Sequence, residues 1–214
     1  MNYHTPVFER LAPEKKEKIL KIAVNEFASL GYQSANINVI AKKCGISVGA
    51  LYKYFVTKEN LFLSVCTLAV DALKSALEVI INSEGGFFSK VEMVIKIIQQ
   101  HSRKNPGIIH LYNEVTTQGN RELAGKLSYE METISAELYA RLIEEARQKG
   151  EIAPDVDDRM AAFCMDNIFM SLQFSYATEY YQERMKIYVS PDIFEDDERV
   201  LRESLKFLKR AFGA

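Results

Sequence analysis

Along most of its 214 residues the chain places apolar side chains three and four positions apart, and no window shows sustained strand alternation closed by hairpin turns. A helix gathers positions so spaced onto one face, whereas a strand would scatter them over two. The pattern therefore predicts an all-α protein of about nine helices. The first opens at Pro13, carries Ile19, Ile22, Ala23, Phe27 and Leu30 along one side, and stops at Gly31. Asn36 caps a short second helix bearing Ile37, Ile40 and Ala41, which ends at Gly45. Ser47 caps a third with Leu51 and Phe55 inward, and Thr57 a long fourth reaching about Ile81. Further helices are predicted near 88–103, 106–117, 121–149, 156–180 and 199–212. Gly85-Gly86, Pro106-Gly107, Gly119-Asn120, Gly150 to Pro154 and Ser190-Pro191 punctuate them. The acidic run Glu195 to Glu198 falls where the last helix should begin and suits its positive dipole end. It reads as a helix start and not as a metal site, because consecutive carboxylates do not converge without a turn built to aim them.

Composition narrows the class. With 48% hydrophobic residues the chain can bury a core. It shows neither a basic-then-apolar leader pattern nor an apolar stretch of about 18 uncharged residues, so a cytoplasmic, non-membrane protein is expected. Cys44, Cys66 and Cys164 are odd in number and set in apolar surroundings, which favours small buried side chains over a disulfide framework or zinc ligands. Three histidines with no helical pair at ligand spacing predict no metal site, and nothing calls for a cofactor. The net charge of −2 conceals an asymmetry. Residues 1–66 carry nine Lys/Arg against five Asp/Glu, and the remainder eighteen against twenty-four. A basic module for a polyanion joined to an acidic module with another task is the simplest reading.

The most informative stretch is Asn36 to Glu59, NINVIAKKCGISVGALYKYFVTKE. It describes two short helices about a tight turn: Gly45 supplies backbone freedom, Ile46 plugs the angle and Ser47 caps the second helix. Ala41 is small where the helices cross. Val48, Ala50, Lys53 and Tyr54 are predicted to face outward, with Gly49 and Ala50 slim enough to approach base edges in a major groove. Lys58 lies at the start of the fourth helix, where an ammonium adds to a helix N-terminus as an anion site. An ordinary helix corner would share the Gly-Ile-Ser turn, but not the basic setting or the outward Tyr and Lys groups.

The run Ile40-Ala41, Gly45-Ile46-Ser47, Gly49, Leu51-Tyr52, Tyr54-Phe55 and Lys58-Glu59, with Phe27 and Gly31-Tyr32 before it, closely resembles the signature of the TetR/AcrR regulators over residues 14 to 65. The resemblance implies a helix-turn-helix DNA-binding domain at 1–57 and a larger helical effector-binding and dimerisation domain at 58–214. It implies that Val48, Gly49 and Ala50 face base edges, following the Ser47 cap, while Tyr52, Lys53, Tyr54 and Lys58 hold phosphates. Asn36, Ile37 and Asn38 would set the second helix against a phosphate, with Lys15, Lys16 and Lys18 near the flanking backbone. Asn36 stands where Thr or Ser is commoner, Cys44 where Ala is usual, and Asn60 where an acidic residue often sits. Cys44 raises a redox-sensing idea, which its apolar setting beside the turn disfavours.

The segment Met160 to Ala177 is apolar on nearly all sides and needs partners on both faces. One face can pack on its own domain and the other on a second subunit, joined by the last helix with Leu201, Leu205, Leu208 and Phe212. A two-fold homodimer through 156–180 and 199–212 is expected, presenting two recognition helices roughly 34–36 Å apart to a pseudo-palindromic operator. The resemblance implies the same, as a four-helix bundle from two subunits. Met93, Ile97, His101, Tyr112, Met131, Ile134, Phe169, Met170 and Phe174 are candidates to line a pocket for an apolar small-molecule effector, although each alone reads as core. Asp166 and Asn167, polar within an apolar helix, require hydrogen-bond partners from the other subunit, a ligand or a neighbour. The predicted function is a non-enzymatic DNA-binding regulator, a repressor by default for the family. The rivals are an all-α enzyme, for which no Gly-x-Ser-x-Gly, His-Glu-x-x-His or phosphate loop is present, and a helical protein-interaction module.

Overall fold

The computed structural model describes residues 3–117 and 121–213, with the side chains of 69–73, 114–117, 121–128, 130 and 131 outside the described set. Among the described residues there are eleven α-helices, one short 3-10 turn and no strand. The helices are α1 (Pro6–Glu9), α2 (Pro13–Ser34), α3 (Ile37–Cys44), α4 (Val48–Phe55), α5 (Lys58–Ile81), α6 (Phe87–Lys104), α7 (Pro106–Thr117), α8 (Arg121–Gln148), α9 (Asp158–Ala177), α10 (Glu179–Tyr188) and α11 (Asp197–Ala211). The expected Gly119-Asn120 turn lies outside the described residues. Contacts divide the chain into two compact units, Met1–Ala72 with His110–Leu127, and Leu73–Ile109 with Ser128–Ala214.

The nine anticipated helices correspond to α2 to α9 and α11. Two more are present. Helix α1 opens with Pro6 at its first position, where the missing N–H costs nothing. Helix α10 arises because the expected helix over 156–180 stops at Ala177: Thr178 is extended (φ −123°, ψ 138°), and its hydroxyl donates to the carbonyl of Phe174 at 3.0 Å. A break by one β-branched residue, without Gly or Pro, leaves little trace in apolar spacing. The 3-10 turn Ile193–Glu195 follows.

In the first unit α2 buries Ile19, Ala23 and Phe27, while Leu30 at its end is half-exposed and Gly31 interrupts the regular helix (φ 73°, ψ 165°). Phe27 and Tyr32 meet the ring of Phe62 at 5.1 and 4.9 Å, which ties the end of α2 to α5. Helix α3 packs on α2 and α4. The chain leaves α4 through a sharp bend in which Val56 adopts φ 58°, ψ −48° and the N–H of Thr57 donates to the carbonyl of Phe55. This is a γ-turn of the strained positive-φ kind, and a β-branched residue in it is costly. Thr57 then caps α5 as anticipated, accepting from Asn60 N–H at 3.0 Å.

The second unit is built on α6. Its Val91, Val94, Ile95 and Ile98 share one core with Tyr139 and Ile143 of α8, with Met165, Phe169 and Leu172 of α9, and with Val200, Leu201 and Leu208 of α11. A polar network binds three of these helices. Gln99 donates to the Tyr176 hydroxyl (3.0 Å) and to the Asp197 carbonyl (2.9 Å), and Tyr176 donates to the Asp197 carboxylate (2.9 Å). Arg103 bonds that carboxylate at 2.7 Å and stacks 4.8 Å over the Tyr176 ring. Burial, more than these partners, pushes the Tyr176 hydroxyl up to about 12. In the acidic run Asp196 caps α11, accepting from Arg199 N–H at 2.9 Å, while Asp197 joins this network. Among the described residues no group of three or more His, Cys, Asp or Glu could hold a metal ion.

Helix α9 has two faces. Ala162, Met165, Phe169, Leu172 and Tyr176 point into the core at spacings of three and four. Met160 and Phe163, 59% and 62% exposed, lie on the opposite side with Cys164. Cys164 was expected to be buried and is exposed because it shares this outward face; Cys44 and Cys66 are buried as anticipated. On α11 the anticipated stripe belongs largely to the chain's own core: Leu201, Leu208 and Phe212 are buried and Leu205 packs against them. The exposed apolar residue of α11 is Phe207, at 63%.

The strain at Val56 makes a testable statement. Relief of an unfavourable conformation, worth about 1–3 kcal/mol, outweighs the roughly 1 kcal/mol that a glycine adds to chain entropy. Val56→Gly should therefore raise the urea midpoint, for a gain in stability of up to about 2 kcal/mol. A lowered midpoint would show that the turn is not strained.

Candidate nucleic-acid interface

Helices α3 and α4 have eight residues each, too short to hold themselves, so their ends and their contacts define them. At the start of α3 the Asn36 side chain accepts from Asn38 N–H at 2.8 Å. At its end Gly45 is left-handed (φ 73°, ψ 32°), and the N–H groups of Gly45 and Ile46 close on the carbonyls of Lys42 and Ala41. A side chain with a Cβ is disfavoured in that conformation. Ser47 follows at once and caps α4, accepting from Ala50 N–H at 3.1 Å. Ile40, Ala41, Leu51 and Phe55 are fully buried between the helices. The turn of the anticipated helix-turn-helix thus forms from the residues that predicted it.

The remaining surface of α4 is small. Gly49 is exposed and Val48 and Ala50 are half-buried. A Cβ added at Gly49 would meet nothing within 4 Å. The fold itself therefore does not require glycine there, although glycine costs a helix interior about 1 kcal/mol against alanine. Tyr52 and Lys53 are exposed beside this bare strip, and Asn36, Asn38 and Ser47 are exposed at the helix starts.

Other candidates are placed differently. Tyr54, anticipated as outward, is buried with its ring 6.0 Å from that of Phe8, and Ile37 is buried too. Tyr54 turns inward because it lies three residues after Leu51, on the buried side of α4. What Ile37 can offer an anion is its backbone N–H at the start of α3. Lys58 is half-buried; its ammonium donates to the Gln33 carbonyl at 2.9 Å and sits 5.0 Å over the Tyr32 ring, and burial holds its pKa below the ordinary value. Lys15, Lys18, Lys21, Lys42 and Lys53 are exposed. Lys43 is paired at 2.7 Å with Glu26, a buried carboxylate. Burial raises the Cys44 thiol, with Lys18 opposing, so the thiolate is disfavoured.

Sequence reasoning missed Thr5 and Phe8. Thr5 N–H donates to the Tyr54 carbonyl (2.8 Å) and its hydroxyl to the Lys53 carbonyl (2.7 Å); Phe8 packs its ring 4.6 Å from Phe55. The Thr-Pro pair at 5–6 was the available signal of an additional helix start.

Of the anticipated effector residues, Tyr112 belongs to the first unit and the Met131 side chain lies outside the described residues. In the second unit Phe169 is in the core, 5.6 Å from the Tyr139 ring, with Met93 packed against that core. Phe174 is buried against Tyr181 at 5.2 Å, Met170 and Ile134 are half-buried, and Ile97 is exposed. Half-buried His101 has its pKa lowered by burial and then by Lys104. Asn167 donates to the Phe163 carbonyl one turn back at 2.8 Å. Asp166 is pushed from an ordinary 3.8 to about 6 by burial, with Glu132 adding to the rise. Its charge in turn adds to the rise that burial imposes on the Tyr139 hydroxyl.

Residues 19–65 match the family profile of bacterial regulatory proteins, tetR family. The HTH-type transcriptional regulator UidR of Escherichia coli (strain K12) is 32% identical over 154 residues, which cover 71% of this chain and 76% of UidR. Two solved structures share the fold. A TetR family transcriptional regulator from Chloroflexus aurantiacus superposes with a TM-score of 0.68 at 21% identity, covering 97% of each chain. FadR from Bacillus subtilis, solved in complex with stearoyl-CoA, gives 0.66 at 23% identity, covering 86% of this chain and 95% of that one. A helix-turn-helix matched by the tetR family profile, on a chain this similar to UidR, places the protein in the TetR family of bacterial transcriptional regulators.

Proposed function

We propose that the protein is a cytoplasmic repressor that binds a pseudo-palindromic operator as a homodimer and leaves it when a small, largely apolar effector binds. The observation that carries the DNA-reading surface is the open space around Gly49. A glycine retained where the fold has room for a side chain suits a helix pressed against base edges, with Val48 and Ala50 beside it. Ser47 ends the turn at that surface, and Tyr52 and Lys53 reach phosphates. Lys58 acts mainly by joining α2 to α5, and Tyr54 and Ile37 by packing; Asn36 and Asn38 present the start of α3 to a phosphate. Residues 1–57 serve DNA and 58–214 the effector and the dimer. No described helix is long and apolar enough to cross a membrane.

The dimer is proposed to form on the outward face of α9, through Met160, Phe163 and Cys164, with Phe207 of α11. Three large apolar groups left in water on these two helices favour such a contact. The effector reading rests on the apolar second unit and on the acyl-CoA bound by FadR of Bacillus subtilis. Met93, Ile97, His101, Ile134, Phe169, Met170 and Phe174 are its proposed surroundings, with Asp166 and Asn167 as polar groups. Effector binding lowers operator affinity by its preference for one of two arrangements of the dimer.

A mobility-shift titration with the DNA upstream of the protein's own gene tests the reading. Wild-type protein should retain that DNA at moderate salt in preference to random DNA of equal length. Ala50→Glu should abolish the preference with the dimer intact, whereas Lys53→Ala, which removes one phosphate contact from each subunit, should weaken both DNAs alike and reduce the salt slope by about 2. Equal retention of both DNAs by the wild type would contradict the function. Phe163→Asp should yield a folded monomer in sedimentation, and a persisting dimer would move the interface elsewhere.

Asp166 provides a pH test. Between 3.8 and about 6 the folded chain holds a proton that the unfolded chain has released. Stability therefore falls as pH rises through that window and levels off above it. Asp166→Asn should flatten this part of the profile and stabilise the protein near neutral pH by about 2 kcal/mol. Identical pH profiles for the two proteins would show that Asp166 is ordinarily solvated.

A further inference from the structure

We infer that the segment Tyr3–Leu11 is a clamp on the recognition helix, with Thr5 as the positioning residue that sets the pose of α4 for sequence-specific binding. The inference rests on the DNA-reading role proposed for α4. It concerns residues outside the matched family profile, which begins at residue 19.

The clamp acts on the carbonyls at the end of α4. A helix leaves its last four carbonyls without partners further along the same helix. Here the Tyr52 carbonyl accepts from Val56 N–H and the Phe55 carbonyl from Thr57 N–H, within the strained turn. The two between them, on Lys53 and Tyr54, accept from Thr5, 48 and 49 positions earlier, through its hydroxyl and its N–H. The Thr5 carbonyl at the same time accepts from Phe8 and Glu9 N–H and so starts α1. One residue thus joins the start of α1 to the end of α4.

Apolar contact locks the same junction. Phe8, only 3% exposed, lies against the rings of Phe55 and Tyr54, and the His4 ring covers Phe8 at 4.9 Å. Phe55 is a core residue, so α1 is fastened to the interior of the module and not merely to its surface. Eight residues make a helix about 12 Å long, and a tilt of roughly 5° at the clamped end moves the base-facing end by about 1 Å. Close contacts with base edges tolerate little more than that. The exit turn at Val56 is strained, so it resists the observed pose, and Thr5 holds the helix in it.

The test compares Thr5→Val, which keeps shape but loses the hydroxyl donor, with Thr5→Ser, which keeps the donor. Full-length dimer is titrated against the upstream DNA of its own gene and against random DNA of the same length. Thr5→Val, which removes one hydrogen bond from each subunit, should bind the upstream DNA at least about five- to tenfold more weakly. Binding to random DNA and its salt slope should not change, and Thr5→Ser should restore wild-type affinity. Operator binding equal to wild type, or equal weakening on both DNAs, would overturn the clamp, since a purely structural role moves both together. If Thr5→Val does not fold, Phe8→Leu is read in the same way, keeping apolar volume but losing the ring contact. Failure of the wild type to prefer its upstream DNA would sink the regulator reading and the clamp with it. Loss of preference only in the variants separates the two.

Discussion

The DNA-facing module depends on one constraint: helices of eight residues cannot stabilise themselves, and the polar groups at their ends have to be satisfied from outside. Asn36, Gly45, Ser47 and Thr5 each answer that need at one helix end. Buried Ile40, Ala41, Leu51 and Phe55 supply the apolar contact that the short helices lack alone. The result is a rigid corner whose outer strip is left almost without side chains.

The second unit meets the opposite problem. Helix α9 carries more apolar surface than one core can cover, so the chain sorts it into an inward row at Met165, Phe169 and Leu172 and an outward row at Met160 and Phe163. The polar network of Gln99, Arg103, Tyr176 and Asp197 sits where α6, α9 and α11 converge. It fixes the register of helices whose contacts are otherwise non-directional.

Local rules with a strong residue preference were legible from the chain alone. The left-handed Gly45, the Ser47 and Asn36 caps, the interruption at Gly31 and the burial of Ile19, Ala23, Phe27, Ile40, Ala41, Leu51 and Phe55 follow from spacing and turn chemistry. What escaped depended on distance along the chain. Nothing near Thr5 indicates that its hydroxyl will meet a carbonyl 48 residues later, and for Tyr54 the three-residue spacing from Leu51 outweighed the phosphate-binding role that its hydroxyl suggested. Lys58 is similar: its charge suggested an anion, and the fold gives it a backbone carbonyl and an aromatic face. On α11 the periodicity was right, but a stripe at helical spacing does not say whether its own core or another subunit will cover it. The candidate effector residues were legible only as apolar, which core and pocket share.

The vacancy at Gly49 has an evolutionary consequence. A Cβ introduced there meets nothing within 4 Å, so the packing of the module does not demand a glycine at that position. On the DNA-reading role proposed for α4, descendants of this chain can change the sequence they recognise by substitution at that point while keeping the interior intact. The fold and the reading surface are separable under selection, which lets duplicated copies acquire new targets without first losing stability.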